Sequence, residues 1–179
     1  MKVLYDHQAF CMQDTGGISR YYHELMQHFH NHPLIRFELA IKYSSNTYLR
    51  EAMYARPHHQ WLPDTTFRGK KHILDILNRP LSKKRIARRD FDLFHPTYYH
   101  PYFLNVIGNR PFVLTIHDMI HELFPSEFKP DKKVILNKML LAQKASLIIT
   151  ISEQSKKDIM RFYNTPGRTH TGNLSWLFI

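Results

Sequence analysis

The chain has 179 residues, 43 % hydrophobic and 22 % charged, with a formal net charge of +10 and a sequence pI near 9.7. That is a soluble globular profile of a length suited to one domain with a sizeable core. No apolar run reaches the roughly 18 residues needed to cross a bilayer, and the short run after Met1-Lys2 is no signal peptide. The single cysteine, Cys11, excludes an internal disulfide framework, so a cytoplasmic location is expected.

Residues 2–6 read as a first strand ending in an acid, Asp6. Residues 7–16 read as a loop. After Gly16-Gly17, the residues Ile18, Tyr21, Tyr22, Leu25 and Phe29 recur along one face of a helix. Two glycines at a helix start leave backbone N–H groups open to a phosphate or another anion, although the same pair also serves as a plain tight turn. Residues 34–43 alternate partway and predict a second strand. Residues 46–55 predict a short helix, and 56–64 carry no usable period.

Between Arg68 and Arg89 nine basic residues face one acid, Asp75, so this window carries +8 of the +10. Ile73, Ile76, Leu77 and Leu81 are interleaved at helical spacing, the pattern of an amphipathic basic segment that Pro80 should interrupt. A solvated helix face, an anionic membrane surface and a nucleic-acid backbone are all compatible with it.

Residues 91–96 predict a short strand turned outward by Pro96. The segment 97–103 is an aromatic, proline-bounded loop, whose rings either meet a ligand or pack the loop down. Residues 112–116 form an apolar, β-branched run of the kind a strand buried on both faces shows, and it ends abruptly in His117-Asp118. Ligands bind at the carboxyl ends of strands in open parallel sheets, so this pair is the first candidate for chemistry. His117 and His121 are four apart, but no third metal ligand is identifiable and no metal site is expected. Cys11 has no partner in sequence that would make it a nucleophile. A helix is expected over 131–145, a buried strand over 146–151, and a further helix capped by Ser152 with Glu153 favourable in its first turn. The order is βα repeated: an α/β fold with a doubly wound, mostly parallel sheet. Residues 166–179 build no further unit and read as an irregular tail.

Four segments in this order resemble a known family: Gly16-Gly17-Ile18-Ser19-Arg20-Tyr21, Phe94-His95-Pro96-Thr97-Tyr98, Thr115-Ile116-His117-Asp118, and Ile149-Thr150-Ile151-Ser152-Glu153-Gln154-Ser155-Lys156. Together they look like the N-terminal half of the family 4 glycosyltransferases over residues 1–165. The resemblance implies a Rossmann-like domain, one half of a retaining GT-B enzyme, that holds mainly the acceptor. It implies Gly16 and Gly17 against the diphosphate of a nucleotide-sugar donor, and His117, with Asp118 beside it, at the transferring sugar. Arg20, His95, Tyr98, Tyr99, Ser152 and Glu153 fall to the acceptor side. No cofactor or metal is implied beyond the nucleotide-sugar co-substrate. The acceptor would be a glycolipid or polysaccharide, as in lipopolysaccharide assembly, with mannosyl or rhamnosyl transfer as the expected chemistry. The family's second, donor-binding domain has no counterpart in the sequence, so a truncated form is expected. The rival reading is a non-catalytic basic α/β module on an anionic membrane or nucleic acid. A nucleotide-binding Rossmann enzyme is disfavoured because no Gly-x-Gly-x-x-Gly follows the first strand.

Overall fold

A computed structural model describes residues 1–55, 58–62, 65–127, 131–163 and 175–178. The chain divides into two compact units, Met1–Tyr98 with Tyr102–Arg110, and Tyr99–Pro101 with Pro111–Ile179.

The first unit is built on β1 (Lys2–Tyr5), whose Val3, Leu4 and Tyr5 are buried. The expected loop after it contains a one-turn helix, α1 (Gln8–Met12), with Ala9, Phe10 and Cys11 buried. Five residues are too few for a helical period to register in the sequence. α2 (Gly17–His30) then sets Tyr22 and Met26 in the core and packs Ile18, Tyr21, Leu25 and Phe29 against it, the face expected from their spacing.

The expected second strand is split. β2 (Arg36–Leu39) pairs in parallel with β1, and β3 (Tyr43–Ser44) leaves that sheet to pair with β4 (His59–Gln60). Between them the Ile41 N–H turns back to the Leu39 carbonyl at 3.0 Å. The Asn78 side-chain oxygen then takes the N–H groups of Lys42 (2.7 Å) and Tyr43 (3.0 Å). A buried amide from a distant helix thus supplies the partner that a strand ladder would have supplied.

α3 (Thr47–Glu51) starts at Asn46, whose side chain accepts from Tyr48 N and Leu49 N, and a 3₁₀ turn (Met53–Ala55) follows. α4 (Lys70–Ala87) covers most of the basic window and runs unbroken through Pro80. Its buried side is Leu74, Asn78, Ser82 and Ile86, whereas Pro80 lies exposed. The carbonyl that Pro80 cannot serve is that of Ile76, itself an exposed residue, so the lost hydrogen bond falls on the solvent side of the helix. β5 (Leu93–His95) closes the sheet against the other side of β1, in the order β2-β1-β5. From β1 the chain winds first to one flank and then to the other. The carboxyl ends of β1 and β5 are thus a switch point.

In the second unit β6 (Val113–Ile116) is buried at all four positions. α5 (Ile120–Leu123) and α6 (Lys132–Lys144) follow, α6 being capped by Asp131 on Lys133 N and Val134 N. β7 (Leu147–Thr150) pairs in parallel with β6, and α7 (Glu153–Tyr163) comes next. Part of the expected tail, Ser175–Phe178, is a strand, β8, parallel to β7. A lone run of four residues gave no βα signal to read. The rest of that tail lies outside the described residues.

Candidate functional site

In the first unit the switch point is occupied by Asp6 and His7, both fully enclosed. The Asp6 carboxylate accepts from the Thr97 N–H (2.8 Å), the Thr97 hydroxyl (2.7 Å), the Tyr102 hydroxyl (2.9 Å) and the Gln8 side-chain amide (2.7 Å). It therefore ties the end of β1 to the segment after β5. The His7 ring is held on both sides, Nδ1 2.6 Å from Ser82 Oγ and Nε2 3.0 Å from Asp75 Oδ1, and the Ser82 hydroxyl reaches the Ala40 carbonyl at 2.8 Å. Burial alone would raise the Asp75 carboxyl, but His7 and Arg79 outweigh it and hold Asp75 below the usual carboxylate range.

The Gly16-Gly17 step enters α2 as the spacing indicated. Gln13 Oε1 accepts from the Ser19 N–H at 2.9 Å, so one amide of the first turn is already engaged. A Cβ on Gly16 would stand 2.6 Å from the Gln13 side chain, whereas nothing lies within 4 Å of the same position on Gly17. Among the described residues no acceptor takes the Gly17 or Ile18 amide, which leaves two donors open at a helix N-terminus. Arg20 is exposed and pairs with Glu24 at 3.7 Å.

His95, expected on the acceptor side, is 3 % exposed, its ring 5.3 Å from Tyr5 and 5.2 Å from Tyr22. It is a core residue in this arrangement. The aromatic loop also packs down: Tyr99, Tyr102 and Phe103 are buried, and Tyr98, His100 and Pro101 are half-buried. Proline-bounded loops bury rings when the strand ends beneath them offer hydroxyl partners, as Asp6 does to Tyr102. Cys11 is buried beside the Asn78 amide (3.2 Å), and burial pushes its thiol well up, which disqualifies it as a nucleophile.

In the second unit His117 and Ser152 leave the same end of neighbouring strands, since Ile116 is in register with Thr150. His117 is half-buried and Asp118 exposed. The His117 N–H donates to the Tyr99 hydroxyl at 3.3 Å. Burial lowers the tendency of His117 to protonate, Asp118 opposes this and Lys138 reinforces it; the net shift is downward. A neutral imidazole at the mouth of a strand can accept or donate one hydrogen bond near neutrality. Asp118 Oδ1 accepts from Ile120 N at 3.2 Å, and Ser152 Oγ caps α7 through Ser155 N at 3.1 Å, with Glu153 exposed in the first turn. The capping role read for Ser152 is the one observed.

The family described as Glycosyltransferase Family 4 matches residues 15–171, most of the chain. The chain belongs to glycosyltransferase family 4. No curated protein matches it. Family 4 membership carries a glycosyltransferase-type function, with a sugar donor and an acceptor in general terms. Among the described residues no helix is long and apolar enough to cross a membrane.

One element of this family 4 chain escaped sequence reasoning. Lys138, 1 % exposed, sits on the buried face of α6 with Leu141 and Ala142. Its ammonium reaches the Asp118 carbonyl (3.1 Å) and the Glu122 carboxylate (3.0 Å), and it lies 5.3 Å from the centre of the Tyr99 ring. The Tyr163 hydroxyl closes the group on Glu122. This buried ion pair fixes the turn that carries His117-Asp118. The available signal was a lysine at helical spacing inside an apolar stripe, a place where a charge survives only if paired.

Proposed function

We propose that the chain is the acceptor-side half of a retaining GT-B glycosyltransferase, moving a hexose from a nucleotide-sugar to a glycolipid or polysaccharide. Mannosyl or rhamnosyl transfer is the favoured chemistry. The observation that supports it best is His117: a half-open, neutral imidazole at the carboxyl end of a fully buried parallel strand, held by the Lys138 ion pair beneath its neighbour. Its role is to orient the sugar or acceptor hydroxyl. The open amides of Gly17 and Ile18 would meet charge on the departing diphosphate. Asp118, Arg20, Tyr98 and Glu153, all exposed or half-buried, are the groups assigned to the acceptor, and His95, Tyr99 and Ser152 support the strand ends from inside.

The test is kinetic. His117→Ala, in a form that turns over a panel of nucleotide-sugars, should cut turnover about 10²-fold or more while changing acceptor binding much less. Equal losses in both would reduce His117 to a binding residue.

One observation favours a peripheral membrane contact. On α4, Ile73, Ile76 and Leu77 are 38 %, 53 % and 42 % exposed amid the basic window, an apolar strip flanked by lysines and arginines. Binding to anionic vesicles that fades with salt is expected, and indifference to vesicle charge would remove this part of the reading. No nucleic-acid partner is proposed, and the cytoplasmic face of the plasma membrane is the corresponding location.

A further inference from the structure

α4 does not end in the usual way. Its cap is Arg88, and the next residue, Arg89, adopts φ +54° while its N–H returns to the Ile86 carbonyl at 3.0 Å. That is the left-handed closing position of a helix, where glycine is favoured because a Cβ is strained there. Only two non-glycine residues take positive φ among the described ones, Leu62 and Arg89. Strain retained at such a position is a reason to ask what the side chain does.

The side chain is laid against a second left-handed residue. Gly108, at φ +62°, lies so close to the Arg89 guanidinium that an added Cβ would stand 2.6 Å from Cζ. Glycine is favoured at 108 by its backbone, and the end of the Arg89 side chain rests in the room it leaves. Beside this contact lies a shallow, solvent-open cavity of about 430 Å³ lined by the exposed residues Arg89, Gly108, Asn109 and Arg110.

Two arginines wall it, and the neighbouring acids are engaged elsewhere. Asp90 pairs with Lys2 Nζ at 3.4 Å, and Asp92 accepts from the Lys2 N–H at 2.7 Å. Among the described residues no carboxylate pairs with Arg89 or Arg110. The cavity opens near the start of β5, at the amino ends of the strands, away from the carboxyl ends carrying Asp6 and Thr97.

We propose that this cavity is an oxyanion-binding site, in which Arg89 and Arg110 grip a phosphate group from two sides while Asn109 offers its amide. Guanidinium forks match the oxygens of a phosphate bidentately. The phosphate belongs either to a small soluble ligand or to a lipid headgroup. The site is independent of the sugar-transfer reading and stands or falls separately from it.

The experiment titrates the 179-residue chain with inorganic phosphate, following the Gly108 and Asn109 amides and the arginine Nε–H signals by NMR. A second arm uses vesicles carrying phosphatidic acid against neutral vesicles. Arg89→Gly is the decisive variant, because it relieves the backbone strain. Its Tm should rise by about 2–4 °C while phosphate affinity falls at least about tenfold. Arg110→Gln should lose affinity similarly with Tm nearly unchanged. Loss in the phosphate arm marks a soluble ligand, and loss confined to the vesicle arm marks a lipid phosphate. Absence of site-specific shifts with phosphate together with no preference for phosphatidic acid vesicles in the wild-type chain, or unchanged binding in both variants, overturns the proposal.

Discussion

Two strands of this chain end in the same two residue types in opposite order, and the molecule uses them differently. β1 runs into Asp6-His7, and β6 runs into His117-Asp118. Both strands are parallel and buried. At the end of β1, each polar atom of the pair is matched: Asp6 by Thr97, Tyr102 and Gln8, His7 by Ser82 and Asp75. At the end of β6 the histidine is half-buried and the acid faces solvent. Burial with full satisfaction makes the first pair a fastening. Partial burial leaves the second pair able to exchange a partner for a ligand.

The comparison breaks most visibly under Asp6→Ala. That change strands the Thr97 and Tyr102 donors in a dry site, and it should cost at least about 3 kcal/mol in denaturant unfolding. Asp118→Ala, the corresponding change in the open pair, should stay within about 0.5–1 kcal/mol. Parity between the two would mean that enclosure is not what separates them. Next in size is Lys138→Met, which leaves the Glu122 carboxylate buried without its cation. A loss of about 3–5 kcal/mol is expected, falling sharply when Glu122→Gln is added in a double-mutant cycle.

What the sequence shows of all this follows from how local each cause is. Strands β1, β5, β6 and β7 and helices α2, α6 and α7 are visible because their apolar periods and caps lie within a few residues. Ser152 and the stripe from Ile18 to Phe29 are examples. The split of the second strand is not visible, because its cause is Asn78, more than thirty residues away. The same holds for the candidate site. His117 stands out against its strand, but the placement of His95 and Tyr99 depends on a ring and a backbone N–H supplied from elsewhere in the chain. Pro80 misled in the other direction: its cost depends on whether the orphaned carbonyl meets solvent, which periodicity does not encode.

The smallest effects sharpen the contrast through pH. His117 is shifted downward by burial, so the folded chain holds fewer protons than the unfolded one between the depressed folded midpoint and the ordinary value of about 6.5. The unfolded state binds more protons there, so stability rises with pH across that window and falls on acidification, levelling off below the folded midpoint. Asp75 is also depressed, by His7 and Arg79 against the opposing effect of burial. Its contribution is present above the ordinary carboxylate value and disappears as pH falls through the lowered one. The two groups therefore act in separate windows, His117 just below neutrality and Asp75 in strong acid. In unfolding curves recorded at several pH values, His117→Gln should flatten only the upper slope, and Asp75→Asn should flatten only the acid limb. If His117→Gln left the upper slope intact, the imidazole would be titrating as an ordinary exposed group. The distinction between an enclosed pair and an open but partly desolvated one would then lose its electrostatic half.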